Sequence, residues 1–170
     1  MSLDDLLRQP KRVALLTYLV LAEPEGFQRR DTILALFWPE LDAKHARAAL
    51  RKSLYVLRAS LGSEVVLTRG DEEVGVDSQL IHCDVHAFAA AISRGRLLEG
   101  LELYRGDLLA GFFVSDVSPE WEQWLDARHV ALRSRAAEAA WKCATELSHA
   151  GEITEGVRWA RWARDRKSVV

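Results

Sequence analysis

The spacing of apolar residues between positions 43 and 62 predicts an amphipathic α-helix. These residues recur every three or four positions, which places them on one side of a helix. They are Ala46, Leu50, Leu54, Leu57 and Leu61. Asp42 is a suitable N-cap and Gly62 a suitable end, so we expect a helix over residues 43–61 that packs its leucine side on a core.

Two shorter amphipathic segments precede this helix. The first spans residues 11–23 and is followed by the turn residues Pro24, Glu25 and Gly26. The second spans residues 29–38 and ends at Pro39, which cannot continue a helix. Both segments are therefore predicted to be helical.

Two short runs rich in β-branched residues follow Gly62. They span residues 64–68 and 73–77 and flank a turn at residues 69–72, which predicts a β-hairpin. Three helices followed by a hairpin are typical of a winged helix-turn-helix, whose third helix lies in the DNA major groove.

The charge of the third helix agrees with this interpretation. Five Lys or Arg residues and no carboxylate occur between residues 43 and 62. The arginine fork matches two acceptors of guanine or a phosphate. A solvated charged surface is the usual alternative for one helix, but the neighbouring elements favour DNA binding. The candidate DNA-binding residues are Lys44, Arg47, Arg51, Lys52, Tyr55, Arg58 and, in the hairpin, Arg69.

The second half of the chain is predicted to be helical. Residues 85–93 and 97–104 form short segments, and Ser118 with Pro119 signals the start of a long helix that Gly151 ends. Residues 152–166 form the last segment. Small residues suit a close crossing of these two helices, as in a tetratricopeptide-like hairpin. They are Ala139, Ala140, Ala144, Gly156 and Ala160.

Composition and charge divide the chain in the same way. The fold class expected is mostly α, with a winged helix-turn-helix in residues 1–80 and a helical tetratricopeptide-like domain in residues 81–170. Residues 1–62 contain ten Lys or Arg and seven Asp or Glu, whereas residues 63–170 contain thirteen and eighteen. The net positive charge therefore lies in residues 1–62.

Several functional classes are not expected. The sequence contains no uninterrupted apolar run of about 18 residues and no secretory signal, so we expect a cytoplasmic protein without a membrane partner. No nucleophile elbow or phosphate loop is present, so neither an enzyme nor a cofactor is predicted. Cys83 and Cys143 are expected to be reduced. The cluster from His82 to His86 contains metal-type ligands, but adjacent positions point apart, and no metal is expected.

The motifs also resemble a known family. The segment LYRGDLLAGF, from Leu103 to Phe112, followed by an acidic and aromatic stretch with Trp121 and Trp124, resembles the bacterial transcriptional activation domain of SARP-type (antibiotic regulatory protein) regulators. The segments KRVALLTYLVL, LALFWPELD and ARAALRKSLYVLRASLG resemble the OmpR-type winged helix of the same proteins.

This resemblance extends from Lys11 to Arg166. It implies a sequence-specific transcriptional regulator, an activator, that reads repeated promoter elements in double-stranded DNA. It also implies that the helical half pairs protomers, as in a dimer on DNA, and contacts RNA polymerase. The expected assembly is therefore a homo-oligomer.

A second interpretation remains open, namely a helical protein–protein interaction module with a degenerate winged helix that does not bind DNA. The segment MSLDDLLRQP before the first helix is too short for the sheet that opens OmpR-type domains. The tip of the hairpin carries Asp71, Glu72 and Glu73, which repel phosphate. The uninterrupted basic side of residues 43–61 favours the regulator.

The last helical segment is also open to two interpretations. It is rich in arginine beside Trp159 and Trp162, which suits an acidic partner or nucleic acid. A solvated basic surface with its tryptophans packed on the preceding helix is the favoured alternative.

Overall fold

The computed structural model describes residues 3–167, which are mostly helical and include one small antiparallel sheet. Within that range the elements are α1 (Leu3–Leu7), α2 (Pro10–Leu21), β1 (Phe27–Arg29), α3 (Arg30–Phe37), α4 (Ala43–Leu61), β2 (Val66–Arg69), β3 (Glu73–Val76), α5 (Asp84–Ser93), α6 (Leu97–Leu103), α7 (Pro119–His149) and α8 (Ile153–Lys167).

The chain forms two compact units. Of the residues that the structure describes, the first contains 3–82 and 111–123, and the second contains 83–110 and 124–167. The sequence predicts a boundary between residues 80 and 81, close to the first division point. It does not predict that residues 111–123 belong to the first unit.

Helix α4 contributes the centre of the first unit's core. Leu50, Leu54 and Leu57 are at most 1% exposed, and Ala46 is 3% exposed. Gly62 ends the helix with a φ of 109°, and its N–H donates to the carbonyl oxygen of Arg58 at 2.9 Å. The predicted apolar side, bounds and end of this helix are therefore confirmed.

The sheet has three strands in the order β1, β3, β2, with antiparallel pairing throughout. The hairpin of β2 and β3 is predicted by the sequence, but β1 is not. Phe27 of β1 pairs with Gly75 of β3, where an added Cβ would lie 2.7 Å from the carbonyl oxygen of Gly26. Gly75 is therefore needed for this close approach of two backbones.

The bounds of the first two predicted helices need correction. The helix predicted over residues 11–23 spans Pro10–Leu21, and the helix predicted over residues 29–38 spans Arg30–Phe37, because Arg29 lies in β1. The sequence does not predict the short helix α1 before Pro10, in which Leu6 is 2% exposed.

Residues 111–123 pack onto the first unit through Trp121. This side chain is 2% exposed, and its ring centroid lies 4.8 Å from that of Phe37 and 6.3 Å from that of Tyr18. The N–H of Ser118 donates to the carbonyl oxygen of Leu36 at 2.8 Å. The Oγ of Ser118 accepts from the N–H of Trp121 at 3.2 Å, which agrees with the predicted start of α7.

The second unit has its own core of small and aromatic side chains. In α7 and α8, Ala140, Cys143 and Trp159 are at most 8% exposed. A Cβ added at Gly156 would lie 2.6 Å from the Oγ of Ser148 and 3.0 Å from the carbonyl oxygen of Ala144. The predicted close crossing of the two helices at small residues is therefore observed.

An ion pair joins the LYRGDLLAGF segment to α7. The Nε of Arg133 donates to Oδ1 of Asp107 at 2.7 Å, and a second guanidinium N–H donates to the other carboxylate oxygen. These hydrogen bonds lower the pKa of Asp107. A ring nitrogen of His129 lies 2.8 Å from the carbonyl oxygen of Leu108, so the same segment contacts α7 twice.

We predict that Trp121→Ala lowers the free energy of unfolding by about 3–5 kcal/mol, because it removes a buried aromatic side chain and leaves a cavity. Trp141→Ala is the matched control, since Trp141 is 61% exposed, and it should change stability by less than about 0.5 kcal/mol. Urea denaturation followed by circular dichroism measures both. Similar small losses would contradict the role given to Trp121.

Candidate nucleic-acid interface

The first turn of α4 is stabilised by Asp42. Its Oδ1 accepts hydrogen bonds from the backbone N–H groups of Lys44, at 2.9 Å, and His45, at 3.0 Å. Its Oδ2 lies 2.6 Å from Nδ1 of His45. The hydrogen bond from the backbone of His45 is the largest cause that lowers the pKa of Asp42. The predicted N-cap is confirmed. It stabilises the N-terminal turn of α4, where the series of basic residues begins.

Five of the seven candidate DNA-binding residues are exposed on α4. Tyr55 is 72% exposed. The side chains of these five residues make no hydrogen bond or ion pair within residues 3–167. They are Lys44, Arg47, Arg51, Lys52 and Tyr55. The structure thus exposes four cations and one phenol on a helix that contains no Asp or Glu.

The other two candidates contact the sheet. Arg58 is half-buried, and its Nε donates to the carbonyl oxygen of Val66 in β2 at 3.1 Å. Arg69 pairs with Glu73 at 3.2 Å, and its guanidinium lies 4.1 Å from the ring centroid of Phe27. Both arginines therefore help to hold the hairpin, Arg58 against α4 and Arg69 against β1.

Lys52 lies on a different side of α4 from the arginines. At about 100° per residue, it is roughly 80° around the helix from Lys44, whereas Arg51 is only about 20° away. Lys52 borders a groove with Trp38 instead of the groove that contains Arg47 and Arg51. The predicted set is therefore divided between two surfaces.

The groove beside Arg47 and Arg51 contains charges of both signs. It is also lined by Arg29 and Arg30 and by three carboxylates, Asp31, Asp71 and Glu72. The backbone N–H of Arg30 donates to the carbonyl oxygen of Glu72 at 2.8 Å, which holds the acidic turn of the hairpin at this groove. Arg29 and Arg30 were not predicted as site residues, because the sequence does not show that a strand ends beside α4.

Three further features of the described part of the chain bear on its chemistry, namely its metal-type side chains, its thiols and the lengths of its apolar helices. Among the side chains that the structure describes, no group of three or more His, Cys, Asp or Glu could hold a metal ion. Cys83 and Cys143 are free thiols, and burial raises the pKa of both. Among the described helices, none is both long and apolar enough to cross a bilayer.

Comparisons with known proteins do not assign the chain to a family. No protein-family model matches the sequence, and no curated protein matches it. The geometry and charges of α4 and its neighbours therefore remain the basis on which we infer a function.

We predict that neutralising the acidic turn strengthens binding to DNA of random sequence. The double variant Asp71→Asn and Glu72→Gln removes two negative charges beside Arg47 and Arg51. If each exposed charge contributes about 0.2–1 kcal/mol, affinity for a random duplex should rise about 2- to 30-fold. Fluorescence anisotropy at low salt measures this change.

The control makes the same change in net charge in the second unit, with Glu102→Gln and Glu146→Gln, which are both exposed. This control should bind the duplex as the unchanged protein does. An equal effect of both double variants would show that net charge, and not the acidic turn, limits DNA binding.

Proposed function

We propose that this protein is a sequence-specific DNA-binding transcriptional regulator whose first unit is a winged helix-turn-helix with α4 in the major groove. The observation that supports this most strongly is the set of unpaired cations on the exposed side of α4. Lys44, Arg47 and Arg51 lie within about 60° of one another around the helix. No carboxylate of α4 neutralises them.

The buried leucine side fixes the rotation of α4, and this rotation determines which groups reach DNA. An arginine fork can donate two hydrogen bonds to O6 and N7 of guanine, whereas a lysine contributes mainly a point charge to a phosphate. We therefore assign base contact to Arg51 and Arg47 and phosphate contact to Lys44. Tyr55 extends the same surface.

In this proposal the three-stranded sheet forms the wing. Arg58 joins α4 to β2, and Arg69 stacks on Phe27 of β1 while it pairs with Glu73. These contacts support a fixed angle between the hairpin and α4. In our proposal both arginines therefore position the wing, and any DNA contact they make uses their remaining N–H groups.

The second unit is proposed to pair protomers and to contact RNA polymerase, as the resemblance to SARP-type regulators implies. The close crossing of α7 and α8 at Gly156 is compatible with a tetratricopeptide-like hairpin. Two joined protomers would bind repeated promoter elements more tightly than one, because the second contact becomes intramolecular.

One observation favours the alternative function, a protein–protein interaction module. Asp71 and Glu72 line the same groove as Arg47 and Arg51, and such carboxylates oppose the approach of phosphate. A partner protein whose surface carries both charges would be complementary to this groove. The mutations below distinguish the two functions.

We predict that Arg51→Ala weakens binding to the preferred duplex by about 1–3 kcal/mol and reduces its preference over other sequences. Lys44→Ala should weaken binding to all duplexes alike and reduce the slope of log affinity against log salt by about one unit. The effects differ because the guanidinium of Arg51 can donate two hydrogen bonds to a base, whereas the ammonium of Lys44 acts mainly as a point charge on a phosphate. Titrations at several salt concentrations measure them.

Arg94→Ala is the control for loss of one positive charge, since Arg94 is exposed at the end of α5 in the second unit. It should leave affinity and preference unchanged on a single element. Small and equal losses for Arg51→Ala, Lys44→Ala and the control would contradict the assignment of α4 as the helix that reads DNA.

A further inference from the structure

A second groove in the first unit, of about 300 Å³, is not explained by DNA binding through the arginines of α4. It lies between the start of α2, the end of α3, the middle of α4 and the segment that follows Gly111. Its lining includes the apolar side chains of Trp38, Ala49 and Phe113 and the cations Lys11, Arg12 and Lys52. We call it the Phe113 groove.

Phe113 is unusually exposed for an aromatic residue, at 84%. Two hydrogen bonds join the residues that follow Phe113 to helices of the same unit. Lys11 Nζ donates to the carbonyl oxygen of Asp116 at 2.7 Å, and the N–H of Ser118 donates to that of Leu36 at 2.8 Å. The ring is therefore displayed to solvent by an attached loop, as an anchor for an apolar group would be.

The cations of the groove are available for a ligand. The side chains of Arg12 and Lys52 make no hydrogen bond or ion pair with the described part of the chain. Lys11 uses one N–H for Asp116 and lies 6.0 Å from the ring centroid of Trp38. Among the described residues that line the groove, none carries a carboxylate. The groove therefore differs from its neighbour at Arg47, which contains three carboxylates.

The groove also opens on a separate side of α4. Ala49 lies about 140° around the helix from Lys44, and Lys52 lies about 80° from it. Arg51, in contrast, lies near Lys44 and borders the other groove. A ligand of the Phe113 groove thus need not compete with a ligand of the arginines.

We propose that the Phe113 groove binds an acidic peptide segment of a partner protein through one apolar side chain and flanking carboxylates. The apolar side chain packs between Trp38 and Phe113, and the carboxylates pair with Arg12 and Lys52. Positive charge around an apolar depression is complementary to this chemistry. The proposal does not require that α4 binds DNA.

The test uses the full chain and labelled synthetic peptides in fluorescence anisotropy titrations. The probe is a twelve-residue peptide that alternates pairs of glutamate and leucine. One comparison peptide replaces leucine by serine, and the other replaces glutamate by lysine. We expect the probe to bind at least about 10-fold more tightly than either comparison, since both the apolar anchor and the negative charge are needed.

Two variants locate the site, and both are checked for folding by circular dichroism. Phe113→Ala and Lys52→Glu should each weaken probe binding about 10-fold. Their controls are Leu98→Ala, which truncates another exposed apolar residue, and Lys142→Glu, which reverses another exposed lysine. Both controls should bind the probe as the unchanged protein does.

The proposal is overturned if the probe binds no better than its serine analogue or if folded Phe113→Ala binds it unchanged. It is also overturned if the probe does not bind and Phe113→Ala instead weakens binding to duplex DNA, because the groove would then belong to the nucleic-acid interface. Probe binding that is lost in Phe113→Ala, in a protein that binds no DNA, would support this inference and reject the proposed regulator.

Discussion

Burial of the leucine side of α4 is the constraint on which the first unit depends. Leu50, Leu54 and Leu57 are at most 1% exposed, so the helix cannot rotate without exposing them to water. The same constraint turns Arg47 and Arg51 outward, where their side chains make no hydrogen bond or ion pair with the described part of the chain. The position of the charges is thus a consequence of apolar packing, which is why a change in the core would alter any contact that α4 makes.

Segment 111–123 completes the core that holds α4. Trp121 lies against Phe37 and Tyr18, and Ser118 bonds to the end of α3, so a fragment that ends after the hairpin would lack a buried tryptophan. Loss of binding by such a fragment would report unfolding as readily as loss of a contact. The same segment also displays Phe113, so it both stabilises the first unit and forms one wall of its second groove.

The features predicted from the sequence are those set by local patterns. Periodic leucines, the Asp42 cap and the β-branched runs identify α4 and the hairpin, because each signal lies within a few residues of the element it describes. Strand β1 is too short to show a period. Other features depend on residues that are far apart in the chain, and a single sequence does not show which of these are in contact. Examples are the aromatic neighbours of Trp121, the stacking of Arg69 on Phe27 and the exposure of Phe113.

If the exposed side of α4 binds DNA phosphates and bases, as we propose, the affinity of the chain for DNA should fall as the salt concentration rises. The full chain is titrated with random and repeat-containing duplexes between about 50 and 200 mM salt, where each phosphate contact contributes a slope of about −0.9 to log affinity against log salt. We expect measurable binding at low salt, a slope that corresponds to several contacts, and tighter binding to one repeat-containing duplex. Absence of binding by the folded chain at about 50 mM salt would contradict DNA binding by α4.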